Sequence, residues 1–567
     1  MSWHNRNIKK QHMIKRNIAG MVILTGMMCS ISSCTDSLPA DRIVYGNIWT
    51  ADTLNPRVEA MAVKADTILA VGTEDEIERY RGSETVITDL APGNMVVPGF
   101  IDSHTHYVDG GLKLSSVQLR DVKSPEEFIR RIAAYATKVK PGEWIIGGSW
   151  DHQNWGGELP EARWIDSVTP ENPVWLNRLD GHMCLTNSLG MKLAGIDKNT
   201  PEMEGGRVFR KEGAPTGLFK DNAKTLIVDR IPMPSDAQLD KALETAMDQF
   251  AAQGITSVVS VTGTGFGAYF DVYQRARRKN ALKTRIYAVK ELEEWKSLAE
   301  MITKEGKGDK WLKYGGVKGF VDGSLGSHTA AFTEPYHDAP RDSGFFVTDR
   351  KLLYSRIKSA DSAGLQILVH AIGDRSVHTL LNMAERLNEE SGKKDRRFRM
   401  EHAQHILPED FSRFAALGVI ASVQPYHAID DGRWAEKVIG PERIRRTYAF
   451  RSLLDAGATI ALGSDWFVAP SSPLLGIYAA TTRRTIDDAY PDGWVPEQKI
   501  TPEEALYGYT LNAAYATFED HIKGSLAKGK LADFVVLEKN ILETAPEDIK
   551  DIKVLETVVG GRTTYQP

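Results

Sequence analysis

Cysteine is almost missing from this chain: its 567 residues include three, Cys29, Cys34 and Cys184. So few thiols cannot build a disulfide scaffold, and the fold must rest on an apolar core. A basic excess is missing too. Lys and Arg number 70 against 75 Asp and Glu, a formal net charge of −5, which leaves no electrostatic footprint for nucleic acid. No sequence period of about 20–50 residues marks a solenoid or propeller. G-x-S-x-G is absent, so nothing supports a serine nucleophile in an α/β-hydrolase fold. G-x-x-x-x-G-K-[ST] is absent as well, and the glycines of Gly323-Ser324-Leu325-Gly326-Ser327 do not make a nucleotide loop. What remains is a globular composition, 42% hydrophobic and 26% charged. At roughly 150 residues per domain the length allows three or four domains, and fewer if one is an α/β barrel with insertions.

The N-terminus reads as an address. Residues 1–17 carry Arg6, Lys9, Lys10, Lys15 and Arg16 and no acidic residue, and Ile18–Met28 is an apolar run of eleven. A stable bilayer span needs about 20 residues, so the run is too short for one. A positive flank, a short apolar core and small residues after it describe a secretory signal over 1–33. The stretch closes Ile31-Ser32-Ser33-Cys34, which resembles a bacterial lipobox and implies cleavage before Cys34 and lipidation of that residue. Two or more acyl chains anchor a protein stably where one does not. Residues 34–41 read as a tether, so the expectation is an exported protein held to a bacterial membrane by lipid.

The body divides by pattern. β-branched runs separated by turn residues fill 42–96, and short strands return over 521–567, so both ends are expected to build one small β-sandwich domain. Between them, over 97–520, apolar strands alternate with helical segments, the pattern of a parallel α/β fold. Eight strand candidates are VPGFID (97–102), ITSVVSV (255–261), TRIYAVK (284–290), YGGVKGFVD (314–322), LQILVHA (365–371), FRMEHA (398–403), VIASVQP (419–425) and TIALGSD (459–465). Eight strands with intervening helices are what a (β/α)8 TIM barrel requires. The first and second are separated far beyond an ordinary βα loop of about 2–6 residues. Segment 107–254 is therefore read as an insertion capping the barrel mouth.

Chemistry-bearing residues gather at the strand ends. His104 and His106 follow the first strand at spacing two, so on an extended chain both imidazoles point the same way and can reach one ion. The C-terminal ends of barrel strands form the rim where barrel enzymes work. His370 closes the fifth strand, His402 the sixth and Asp465 the eighth, while Lys318 lies within the fourth. Each has an ordinary structural explanation alone, a core histidine or a helix cap. Jointly, several strands would each have to end in a metal-type group by accident.

The set and order of these residues resemble the amidohydrolase superfamily. The resemblance is to amidohydrolase family 3, the branch with N-substituted formamide deformylase-like enzymes. It is carried by VVPGFIDSHTH, GSWDHQNW, RLDGHMCLTNSLG, GGRVFRKEGAPTGLFKD, VKGFVDGSLGS, VHAIGDRSVH, RMEHAQHI, LGSDWFVAPSSPL and KGKLADFVVLE, from about residue 43 to 563. It implies one or two divalent metal ions, commonly zinc. His104, His106 and Asp465 would hold the more buried ion, His370 and His402 the second, and Lys318 would bridge them as a carbamate. If Lys318 stays an amine, a single ion is the better reading. Asp465 would also accept a proton from the attacking water and pass it to the leaving amine. Trp150 and His182 would line the substrate pocket, and Asp322 would orient a ligand or bind substrate.

The expected function is metal-dependent hydrolysis of a non-peptide C–N bond in a small amide-like substrate. Two other readings stand beside it: a metal-dependent isomerase on the same site, and a surface-binding lipoprotein without turnover. Oligomer formation is left open.

Overall fold

The computed structural model describes residues 39–114, 116–261 and 269–567. The expected signal peptide over 1–33, most of the expected tether and Cys34, the expected lipidation site, lie outside the described residues. Among the described residues no helix is long and apolar enough to cross a membrane.

Eight parallel strands form the central sheet. They are β1 (Phe100–Thr105), β2 (Ile255–Ser260), β3 (Arg285–Glu291), β4 (Leu312–Phe320), β5 (Gln366–Ala371), β6 (Phe398–His402), β7 (Val419–Val423) and β8 (Ile460–Leu462). They pair in sequence order from β1 to β8. All eight overlap the segments expected from the sequence, each a short stretch that is almost wholly buried. The first is shifted from the expected 97–102, since residues 97–98 belong to strand Met95–Pro98 of the sheet built by the chain ends.

The barrel nearly closes where β1 meets the turn after β8. Thr105 bridges Trp466 in parallel register, His106 N donates to Trp466 O at 2.6 Å, and Asp465 N donates to His104 O at 2.8 Å. Asp102 staples the same seam by accepting from His104 N at 3.1 Å and from Ser464 N at 2.9 Å. The approach is so close that a Cβ on Gly463 would stand 2.7 Å from His104 N. Only glycine fits there.

The chain ends build one continuous sheet of eight strands. Its N-terminal strands include Arg42–Trp49, Arg57–Lys64, Thr67–Gly72 and Met95–Pro98. Phe534–Leu537, Val554–Val559 and Arg562–Tyr565 extend it from the C-terminus, with Phe534–Leu537 antiparallel to Met95–Pro98. The sheet bends over itself, so Ile68 near one edge and Val558 near the other share one apolar cluster. Buried Arg285 on β3 grips Asp533 with two bonds of 2.7 and 2.8 Å, tying this sheet to the barrel.

A third sheet, of six strands, lies between β1 and β2 in sequence, in the order 206–211, 214–221, 183–185, 174–178, 145–150 and 117–118. It has its own core, including Phe128, Ile132, Val174, Leu176 and Leu185. Helices Tyr107–Leu114 and Asp236–Ala252 do not join that core. They pack on each other and bury Tyr107, Val108, Leu243 and Phe250 in the barrel's core. The separate layer is therefore narrower than 107–254, because both flanking helices carry an apolar face that only the barrel covers.

Candidate metal centre

The strand ends bring six groups to one place. His106 Nε2 is 3.1 Å and His104 Nε2 is 3.6 Å from Asp465 Oδ1, and Lys318 Nζ is 3.3 Å from His104 Nε2. On the other side of Asp465, His427 Nε2 stands 3.8 Å from Oδ2, and the His402 ring lies 4.9 Å from that of His104. Two sets of ligating atoms gather closely enough for a cation: His104, His106 and Asp465, and His402, His427 and Asp465.

The spacing fits a metal better than a hydrogen-bond network. Four ligands at about 2.0–2.1 Å around a tetrahedral ion stand about 3.3 Å from one another. The separations of 3.1, 3.3 and 3.6 Å bracket that value. Asp465 Oδ1 and His427 Nε2 are buried and find no hydrogen-bond partner among the described residues. A buried polar atom with no partner points to an absent ion or water.

Neighbouring residues aim the imidazole lone pairs. His104 donates from Nδ1 to Glu401 Oε2 at 2.5 Å, which leaves Nε2 free. His402 Nδ1 bonds Gln424 Oε1 at 2.8 Å, with the same consequence. His370 donates from Nε2 to Gly323 O at 2.9 Å, so Nδ1 is its remaining ligand atom. Such partners fix tautomer and orientation in metal sites. His402 and Asp465 both hold backbone φ in the left-handed region, at 75° and 56°. Conformations of that kind cost on the order of 1–3 kcal/mol and cluster at functional sites.

Protonation states suit cation binding. Burial, reinforced by the Lys318 ammonium, pushes His104 down to about 4. Burial also pushes His402 and His370 well below the ordinary imidazole value. Burial alone would raise Asp465, but His106, His104 and His402 outweigh it and hold the carboxyl well below its usual range. Neutral imidazoles beside an ionised carboxylate are a set of lone-pair donors. Burial pushes Lys318 down to about 8.

The second ligand set departs from expectation. His427 occupies the place expected of His370, since it reaches Asp465 from helix Pro425–Asp431 after β7. The His370 ring lies 4.5 Å from His402 but turns Nε2 away onto Gly323. Glu401 was also not singled out from the sequence, although it sits beside His402 in FRMEHA.

The site opens into a cavity of about 940 Å³ lined by His106, Lys318, His370, His402, His427 and Asp465. Its walls include Trp144, Trp175, Phe320, Trp434 and Phe467. His182 lines it as well, held by Asp221 at 2.7 Å. Two residues expected to meet substrate do not line it. Trp150 is fully buried in the core of the six-stranded sheet, with Nε1 donating to Leu176 O at 2.9 Å. Strand Ile145–Trp150 turns that ring toward Phe128. Asp322 is fully buried too, and accepts from Ala331 N, Ile372 N and Gly373 N at 2.8–3.0 Å. Its oxygens hold the loops after β4 and β5 together and leave none for substrate.

Residues 89–565 match the model of an amidohydrolase family. The chain is 40% identical over 539 residues to Protein LONG AFTER FAR-RED 3 of Arabidopsis thaliana, covering 92% of this chain and 91% of that one. It is 26% identical over 542 residues to the N-substituted formamide deformylase of Arthrobacter pascens, covering 92% and 98%. An uncharacterized metal-dependent hydrolase from Pyrococcus horikoshii superposes with a TM-score of 0.71 at 26% identity, over 89% of this chain and 99% of that one.

Proposed function

This chain belongs to the amidohydrolase family, and on that premise we propose that it hydrolyses an amide-like, non-peptide C–N bond of a small molecule. The observation that carries the proposal is the convergence of His104, His106, His402 and Asp465 from the ends of β1, β6 and β8, and of His427 from the helix after β7, at metal-ligand spacing. His104, His106 and Asp465 would hold one divalent ion, with Lys318 beside it. His402 and His427 would hold a second through the other oxygen of Asp465, with His370 Nδ1 in reserve. Zinc suits a nitrogen-rich set of this kind.

When bound, such an ion polarises the substrate carbonyl as a Lewis acid and brings the pKa of water toward about 7. The chain's own part is proton handling and orientation. Asp465 lines the cavity and its backbone N–H is pinned to His104 O, which supports a role for its carboxylate in taking the proton of the attacking water. It then returns that proton to the leaving nitrogen. Glu401 and Gln424 keep His104 and His402 in the tautomers that present Nε2. The aromatic walls favour a substrate with an apolar or aromatic nitrogen substituent. A screen of N-formyl, N-acyl and cyclic amides for amine release by the metal-loaded protein tests the reading. Release of amine and acid supports it, and a product of unchanged mass would favour isomerisation instead.

The proposal extends to place. The basic flank, the short apolar core and the order Ile31-Ser32-Ser33-Cys34 support export and lipid anchoring at Cys34. The substrate would then be met outside the cytoplasm.

A further inference from the structure

Lys113 stands apart from the machinery described above. It lies in helix Tyr107–Leu114, immediately after the His104–His106 strand end, and lines the same cavity. Its Nζ sits 4.0 Å over the face of Phe467, and that ring in turn lies 5.9 Å from the His106 imidazole. The ammonium is therefore one aromatic ring away from the candidate metal ligands.

No oxygen among the described residues accepts a hydrogen bond from Lys113 Nζ, and no carboxylate stands within ion-pair distance. A lysine has three N–H donors to satisfy. The ring face attracts the charge but accepts none of those bonds in the ordinary way. The neighbouring charged groups are engaged elsewhere. Asp109, one turn back on the helix, accepts the Tyr269 hydroxyl. Arg120 donates to Asp430 Oδ2 at 3.0 Å and to Val468 O. Burial, with Arg120 nearby, pulls the Lys113 ammonium well below its ordinary value. An anion entering the cavity would give that Nζ a charge-assisted partner.

We propose that Lys113 is a specificity residue that binds a carboxylate on the substrate, so that the preferred substrates are amides bearing an anionic group beside an apolar or aromatic portion. The inference rests on the hydrolase reading, but its test does not depend on turnover. Binding of 3-phenylpropionate and of 3-phenylpropanol to the metal-loaded protein is measured by calorimetry, for the wild type, Lys113→Met and Lys113→Arg. The wild type should bind the anion about ten-fold or more tightly than the alcohol, the scale of one charge-assisted hydrogen bond. Lys113→Met should lose that preference while still binding the alcohol, and Lys113→Arg should restore most of it. A preference that survives in Lys113→Met would assign the carboxylate to another group and overturn the inference. So would a wild type with no preference, or a Lys113→Met that weakens both ligands alike. In the same preparations, amine release is compared for N-formylphenylalanine and N-formylphenethylamine. Turnover of neither, with the binding result intact, would count against the hydrolase reading and leave Lys113 as an anion site.

Discussion

His104 and Glu401 meet across the barrel interior, Nδ1 to Oε2 at 2.5 Å, although their strands β1 and β6 are not neighbours in the sheet. Arg399 completes the arrangement by holding Glu401 at 2.8 Å while reaching Ser103 O at 2.6 Å. Burial alone would raise the Glu401 carboxyl, but Arg399 and His104 outweigh it and keep it low. One buried carboxylate thus balances a buried guanidinium and fixes the imidazole that faces the candidate metal site.

Replacing that carboxylate tests both roles. Glu401→Gln keeps the shape but removes the charge, leaving Arg399 without its counter-ion. Metal affinity, read by competition with a chelator, should fall about 10–100-fold. Stability in denaturant should drop by about 3 kcal/mol or more, because a buried charge loses its partner. An affinity equal to wild type would show that the His104–Glu401 bond does not orient the ligand.

Asp465 is expected to separate folding from turnover. Asp465→Asn keeps an oxygen toward His106 but cannot accept the proton. Turnover should fall about 10²–10⁴-fold, the usual worth of a general base. Thermal stability should change far less. A rate within a few-fold of wild type would remove Asp465 from the proton path.

Lys318 carries a pH-dependent prediction. Carbamate formation needs the neutral amine, and burial brings Lys318 down to about 8. The neutral fraction therefore grows as pH rises through about 8 and shrinks below it. Zinc reconstitution of metal-free protein with bicarbonate should raise activity, and the gain should be larger at pH 8.5 than at pH 7. Indifference to bicarbonate at both values would leave Lys318 an amine beside a single ion.

The lipobox resemblance makes a prediction about location. Cys34→Ala should move the protein from the membrane fraction of a bacterial host to a soluble one, as followed by fractionation and immunoblot. Persistence in the membrane would point to an uncleaved N-terminal anchor.

The eight barrel strands were legible in the sequence because each is a short, largely apolar stretch ending at a turn, and that pattern survives without knowledge of packing. His104, His106 and Asp465 were legible for the same reason, since their place in the sequence is their place on the rim. His427 was not, because it belongs to a helix after β7 and no short spacing ties it to the other ligands. Trp150 misled because alternation along a strand says which residues share a face, but not whether that face meets a cavity or a core. Glu401 was hidden beside His402. A glutamate in a buried strand is unremarkable until its partner across the barrel is known.

The central claim is that these strand ends hold a metal. Elemental analysis of the purified protein by mass spectrometry, alongside a His104→Ala/His106→Ala variant of unchanged circular dichroism, tests it most directly. The account predicts about one or two equivalents of a divalent transition metal per wild-type chain, and loss of most of it together with activity in the variant. A fully active wild type without metal, or a variant that retains the same metal content, would contradict it.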